Sequence, residues 1–212
     1  MSLFENTEEQ ITENYKQFMS LIEQDSRSEA LKEMYEVLHD ELITAPASSR
    51  AHYHNCFPGG YLDHVLRVAQ TALKVAAMYK ENGGDIDFTK EELIFAALHH
   101  DLGKLGTEDG PYYLDQDSDW HRKRGELYKI NENIQYMKAP ERGLMMLNKY
   151  GVRVTEKEWI AIKLSDGMYE EGNKAYYANY IPNSMKTNLP YIIHWADHMS
   201  RNIESDKNKF TM

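Results

Sequence analysis

The sequence predicts an all-α, single-domain helical bundle, and three observations carry that reading. Apolar residues recur at helical spacing along almost the whole chain, no long Val/Ile/Thr alternation marks a sheet of consequence, and 212 residues fit one ordinary domain. A chain of this length buries roughly 70% of its unfolded surface and needs no staples to fold.

Taken in order, Ile11, Tyr15, Phe18 and Ile22, then Leu31, Met34, Tyr35, Leu38 and Leu42, repeat with helical period and predict a helical lead-in over residues 1–45, packed on the core. Pro46, Pro58, Gly59 and Gly60 break helices, so 45–58 is expected to be a loop; it carries Arg50, His52 and His54. A helix is predicted over 61–80, with Leu62, Val65, Leu66, Ala69, Leu73, Ala76 and Ala77 as its buried stripe and Asn82-Gly83-Gly84 as its end. Thr89 and Glu92 form a capping box for the next helix, which stops near Gly103 as the residue past its C-terminus. His99, His100 and Asp101 then sit in its last turn. Residues 106–119 read as a loop of lid or substrate-binding type. Further helices are expected over 120–137, 140–150, 155–165 (another capping box, Thr155 with Glu158) and 189–204, where Pro190 suits a first turn. Residues 168–185, rich in Tyr, Asn and Gly, should wrap the surface. The main domain is placed at 46–205 and a tail at 206–212.

Composition bounds the function. The net charge of −10 disfavours a surface coated with nucleic acid, so no extended nucleic-acid partner is expected. The single cysteine, Cys56, allows no internal disulfide and reads as a buried small residue, which suits a reduced, cytoplasmic compartment. No apolar run approaches the ~20 residues of a membrane span, and the acidic start is no targeting signal. The nine histidines are unevenly placed, and they point to the chemistry.

His64 lies on one predicted helix, His100-Asp101 ends the next, and Asp197 comes far downstream in Ile192-Ile193-His194-Trp195-Ala196-Asp197. Imidazole with carboxylate suits a divalent ion such as Mn²⁺, Fe²⁺, Ni²⁺, Co²⁺, Zn²⁺ or Mg²⁺, and the lack of thiolates argues against a structural zinc. Adjacent residues on a helix point about 100° apart, so His100 and Asp101 reach one site only where the helix frays before Gly103.

Three segments carry a resemblance: Gly59-Gly60-Tyr61-Leu62-Asp63-His64-Val65-Leu66-Arg67-Val68, Ala96-Ala97-Leu98-His99-His100-Asp101-Leu102-Gly103-Lys104, and His194-Trp195-Ala196-Asp197. Over about 46–204 the chain resembles the HD-domain metal-dependent phosphohydrolases, which implies an HD-type helical bundle. The lead-in Pro46-Ala47-Ser48-Ser49-Arg50-Ala51-His52-Tyr53-His54-Asn55 is similar to that of HD domains in certain 3′-to-5′ exoribonucleases. Trp120-His121-Arg122-Lys123-Arg124-Gly125-Glu126 and Ser165-Asp166-Gly167 are similar to HD hydrolases carried by tailed phages.

The resemblance implies that His64, His100, Asp101 and Asp197 hold one metal ion. A second ion, if present, would use His121 and Asp166 with Asp101 bridging; relatives with two metals carry further histidines between the His-Asp pair and the last aspartate, where this chain has His121 and, three residues before Asp197, His194. It also implies hydrolysis of a phosphate ester or anhydride of a small nucleotide by attack of water, with no protein nucleophile. Asp101 would orient that water and Lys104 would neutralise a phosphate oxygen; the plainer reading of Lys104 is a solvated cation at a helix C-terminus. Arg50, His52, His54, Arg67 and Arg124 are the candidates for contact with substrate. Arg122, Lys123 and Arg124 read equally well as a solvated basic face, and His194 with His198 as surface or supporting residues. The rival readings are a phosphodiesterase acting on cyclic or short oligonucleotides and a non-catalytic nucleotide sensor. Relatives commonly self-associate, so a homo-oligomer is compatible, although no heptad seam argues for one.

Overall fold

The structure is a computed structural model that describes residues 7–178 and 185–209. The end of the predicted surface-wrapping segment, at 179–184, and the last three residues of the predicted tail lie outside the described residues.

Thr7 accepts a hydrogen bond from the Gln10 backbone N–H and opens α1 (Glu8–Glu23), whose Phe18 and Ile22 are fully buried. The short helices α2 (Ser28–Val37) and α3 (His39–Thr44) come next and bury Leu31, Met34, Tyr35 and Leu42. The predicted loop over 45–58 leads into α4 (Gly60–Glu81), the central helix, which packs against α1 and α3. Leu73 and Ala77 of the predicted stripe face solvent instead, while Tyr61, Val68, Ala72 and Val75 are buried. Helices pack around α4 over an arc wider than one stripe, and those two residues fall beyond its edge.

The capping box of Thr89 and Glu92 forms as predicted and starts α5 (Lys90–His99). A 3-10 turn, Leu102–Lys104, lies just beyond it. Gly103 is needed there for a different reason from the one expected. It does not take a left-handed cap conformation; rather, a Cβ on Gly103 would stand 2.1 Å from the Ala139 carbonyl oxygen, so glycine lets the next helix press onto the turn.

The predicted lid over 106–119 is an ordered pair of ribbons. Strand β1 (Gly106–Thr107) pairs antiparallel with β2 (Gly110–Pro111), and β3 (Tyr113–Asp115) pairs with β4 (Tyr128–Ile130). The helix predicted over 120–137 is therefore reduced to α6 (Asp119–Lys123). Gly125 adopts a φ of +79°, which turns the chain out of the helix and lets 128–130 join β3.

Helix α7 (Ala139–Lys149) packs on the 3-10 turn, and α8 (Glu156–Lys163), opened by the second capping box, packs against α5. After a one-turn α9 (Lys174–Tyr177), the last helix, α10 (Leu189–Lys209), lies along both α4 and α8. One continuous core joins Phe18 and Leu31 from the lead-in to Leu62, Phe95, Leu147, Ile162 and Ile193, each such side chain contributing roughly 1.5–3 kcal/mol by its burial. No helix among the described residues is long and apolar enough to cross a membrane.

Candidate metal centre

Three elements meet at one point. His64 comes from the second turn of α4, His100 and Asp101 from the end of α5, and Asp197 from the middle of α10. The helix ends at His100, and Asp101 departs from helical geometry at φ −110° and ψ 10°, so both side chains of the pair reach the same place. All four residues are buried.

Their donor atoms form a closed ring. His64 Nε2 lies 3.6 Å from Asp101 Oδ2 and 3.3 Å from Asp197 Oδ1, while His100 Nε2 lies 3.5 and 3.7 Å from the same oxygens. The remaining ring nitrogens fix the tautomers. His100 Nδ1–H donates to the Ala97 carbonyl at 2.8 Å, and His64 Nδ1–H donates to the Glu204 carboxylate at 3.0 Å. Both Nε2 atoms then carry lone pairs that face carboxylate oxygens, and neither makes a hydrogen bond. Such an arrangement is repulsive until positive charge stands between the groups. Donors bound to a divalent cation at about 2.1 Å stand roughly 3.0–3.4 Å apart, close to the observed spacing. The residues therefore fit a divalent ion.

Without a metal, a proton on the imidazole supplies that positive charge. Burial opposes a charge on His64, but Glu204 and Asp197 outweigh it and raise its pKa to about 10; His100 is raised likewise, with burial offset by Asp101 and Asp197. Burial would lift Asp101, yet Lys104, His100 and His64 hold it down at about 2. Burial would lift Asp197 too, but the same histidines hold it well below the usual carboxylate range. In the metal-free protein, protonated His64 stabilises the fold fully below its ordinary 6.5, and that contribution is lost as pH rises through about 10. A metal ion must displace that proton. Uptake of Mn²⁺ or Zn²⁺ by metal-free protein near pH 7 is thus expected to release protons, and affinity should fall as pH is lowered. Calorimetry in buffers of different ionisation enthalpy measures the release; zero proton release would contradict the assignment.

Lys104 Nζ bonds Asp101 Oδ2 at 2.6 Å and the Ala47 carbonyl at 3.0 Å, which places a cation beside the donor ring. Asp166 is exposed, yet loss of solvation at its carboxyl and then the charges of Asp101 and Asp197 raise its pKa. His54 is buried against His64, with ring centroids 4.7 Å apart, and burial together with the charges of His64 and Lys104 keeps it neutral, at about 2. The other candidates stand elsewhere. Arg67 lies at 2.9 Å from Glu204 and 3.6 Å from Asp63, behind His64. His121 Nδ1 bonds Glu126, which also pairs with Arg50, and His121 belongs to no metal-binding cluster among the described residues. His52 is exposed beside Tyr53, and Arg124 covers the exposed Trp120 ring at 4.4 Å. His194 Nδ1–H donates to the Ser165 carbonyl, His198 stacks on Tyr169, and Cys56 is buried with its pKa pushed up to about 12.

Glu204 and Arg142 escaped the sequence reading. Glu204 orients His64 and sharpens its basicity; its position seven residues after Asp197, on the same helix face, is the signal that marks it. Arg142, fully buried, binds the Gly103 and Gln135 carbonyls and so fixes the turn that carries Lys104. Replacing Glu204 by glutamine is expected to weaken metal affinity about 10–100-fold. Competition with a metallochromic chelator reads this; unchanged affinity would remove Glu204 from the centre.

Comparison with known families agrees with this geometry. The HD domain family matches residues 61–202, more than half of the chain. No curated protein and no solved structure matches it. The match spans the histidine of α4, the His-Asp pair after α5 and the aspartate of α10, and on that basis the chain belongs to the HD-domain superfamily, whose members are usually metal-dependent hydrolases.

Proposed function

We propose that the protein is a metal-dependent phosphohydrolase that cleaves a phosphate ester or anhydride of a small nucleotide. One observation carries the reading: two buried imidazole Nε2 lone pairs and two carboxylate oxygens converge beside the ammonium of Lys104. A divalent ion bound there lowers the pKa of water and neutralises phosphate oxygens. Lys104 spends two of its three N–H groups on Asp101 and Ala47, which leaves the third for a non-bridging phosphate oxygen. Asp101, kept ionised, holds that ammonium in place. Asp166, with its raised pKa and open position, suits the transfer of a proton. The donor set of nitrogen and oxygen is compatible with Mn²⁺, Fe²⁺, Ni²⁺, Co²⁺, Zn²⁺ or Mg²⁺. A second ion would draw on Asp166 and on His121 Nε2, since Glu126 engages only His121 Nδ1; neither residue belongs to a metal-binding cluster among the described residues.

A second reading, a phosphodiesterase acting on cyclic or short oligonucleotides, is favoured by the exposed pairs Arg124 over Trp120 and Arg50 over Tyr53, which offer stacking faces beside phosphate-binding charge. Metal analysis of the purified protein, then a panel of nucleoside mono- and triphosphates, cyclic nucleotides and short oligonucleotides with each metal, separates the two. Metal-stimulated release of phosphate or pyrophosphate is expected. Tight nucleotide binding with no turnover under any metal would indicate a sensor instead.

A further inference from the structure

Across the contact between His54 and His64, the loop before α4 and the C-terminal half of α10 line a half-open cavity of about 120 Å³, bounded by Tyr53, His54, His198, Arg201, Asn202 and Ser205. In a chain with 34 acidic residues, this lining contains no carboxylate; Glu204, within 4.8 Å of a His54 ring nitrogen, is held by His64 and Arg67. Its guanidinium, Arg201, has no ion-pair partner among the described residues. His54 is only 7% exposed and its Nε2 makes no hydrogen bond; the buried Nδ1 of His198 makes none either. A buried imidazole nitrogen without a partner is unusual, and two on one small cavity beside a free guanidinium ask for a polar, negatively charged occupant. The volume equals that of about four waters, close to one tetrahedral oxyanion.

We propose that this cavity is a phosphate subsite, which takes a phosphate of the substrate other than the one at the metal centre. The assignment to a substrate rests on the phosphohydrolase reading; the cavity's preference for an oxyanion does not. Because His54 borders both places, the two phosphates belong to one nucleotide carrying at least two phosphate groups, either in a chain or as separate esters.

The test titrates inorganic phosphate into the purified protein by calorimetry, for the parent chain and for Arg201→Gln, Arg201→Lys and Asn202→Asp. Arg201→Gln and Asn202→Asp should each weaken one phosphate site at least about tenfold, while Arg201→Lys should keep most of the binding. Melting curves exclude misfolding, and Asn202, being exposed, provides a variant that leaves the core intact. Phosphate binding equal to the parent in both weakening variants overturns the subsite. A nucleoside 5′-diphosphate and a 3′,5′-bisphosphate, each compared with the monophosphate, identify the source: the one that loses affinity selectively in Arg201→Gln fits the cavity, and no selective loss counts against it. Phosphate loss in a protein inert toward every nucleotide would keep the cavity and remove the hydrolase reading; hydrolysis with unchanged phosphate binding would do the reverse.

Discussion

Asp101→Ala is expected to empty the metal centre and to lower hydrolysis by about 10²–10³-fold. Asp101 Oδ2 is shared by His64, His100 and Lys104, at 3.6, 3.5 and 2.6 Å. Removing it deletes one donor and also releases the buried ammonium of Lys104 toward the place where a cation must sit. Affinity for metal should therefore fall further than the loss of one ligand alone would cause. Asp101→Asn, which keeps the size and loses the charge, should behave almost as badly. Emission spectroscopy for metal content, with a rate measured on the best nucleotide of the panel, decides it. Unchanged metal content and unchanged rate in Asp101→Ala would end the metal-centre assignment.

The largest effect on stability is expected far from the centre. Arg27 donates to Asp25 and, through both terminal nitrogens, to Glu158, which is 1% exposed, and its guanidinium lies 3.7 Å from the centre of the Phe95 ring. This cluster ties the lead-in to the start of α8 and to the flank of α5. Arg27→Met leaves Glu158 buried without its cation and should cost about 3–5 kcal/mol. Replacing Glu158 by methionine as well should recover part of the loss, since no stranded carboxylate then remains. Urea denaturation at pH 7 measures both, and a loss below about 1 kcal/mol would contradict the argument. The acid limb has a defined sign. Burial raises the Asp25 pKa, but hydrogen bonds from Arg27 outweigh it and hold the group below its ordinary 3.8, so its contribution is present above that value and is lost as pH falls through the lower folded one. Arg27→Met should flatten that part of the stability curve.

The helices were legible wherever a local signal fixes them. The capping boxes at Thr89 and Thr155, the apolar period of α1 and α4 and the proline at the head of α7 depend on neighbours within a turn or two, and each formed. The segment after Lys123 has a pattern compatible with a helix until Gly125 takes a positive φ and β3 supplies a partner strand, and pairing across a dozen residues leaves no local trace. The same limit applies to the site. His64, the His-Asp pair and Asp197 stand out in the chain as residue types, whereas Glu204 and Arg142 act only through contacts made on folding.

By itself the sequence determined a helical bundle and the candidate donors for a metal, since propensity, capping and donor chemistry are properties of the residues and their nearest neighbours. The tertiary structure alone decided which candidates converge. It packed His54 against His64, put Asp166 within the field of Asp101 and Asp197, set Arg67 against Glu204, and joined the segments that carry Arg50, His52, His121 and Arg124 through the Arg50–Glu126 pair. The reason is geometric. Direction from a helix face is fixed locally, but the distance between two faces depends on how α4, α5 and α10 pack, and close approaches such as that at Gly103 set it.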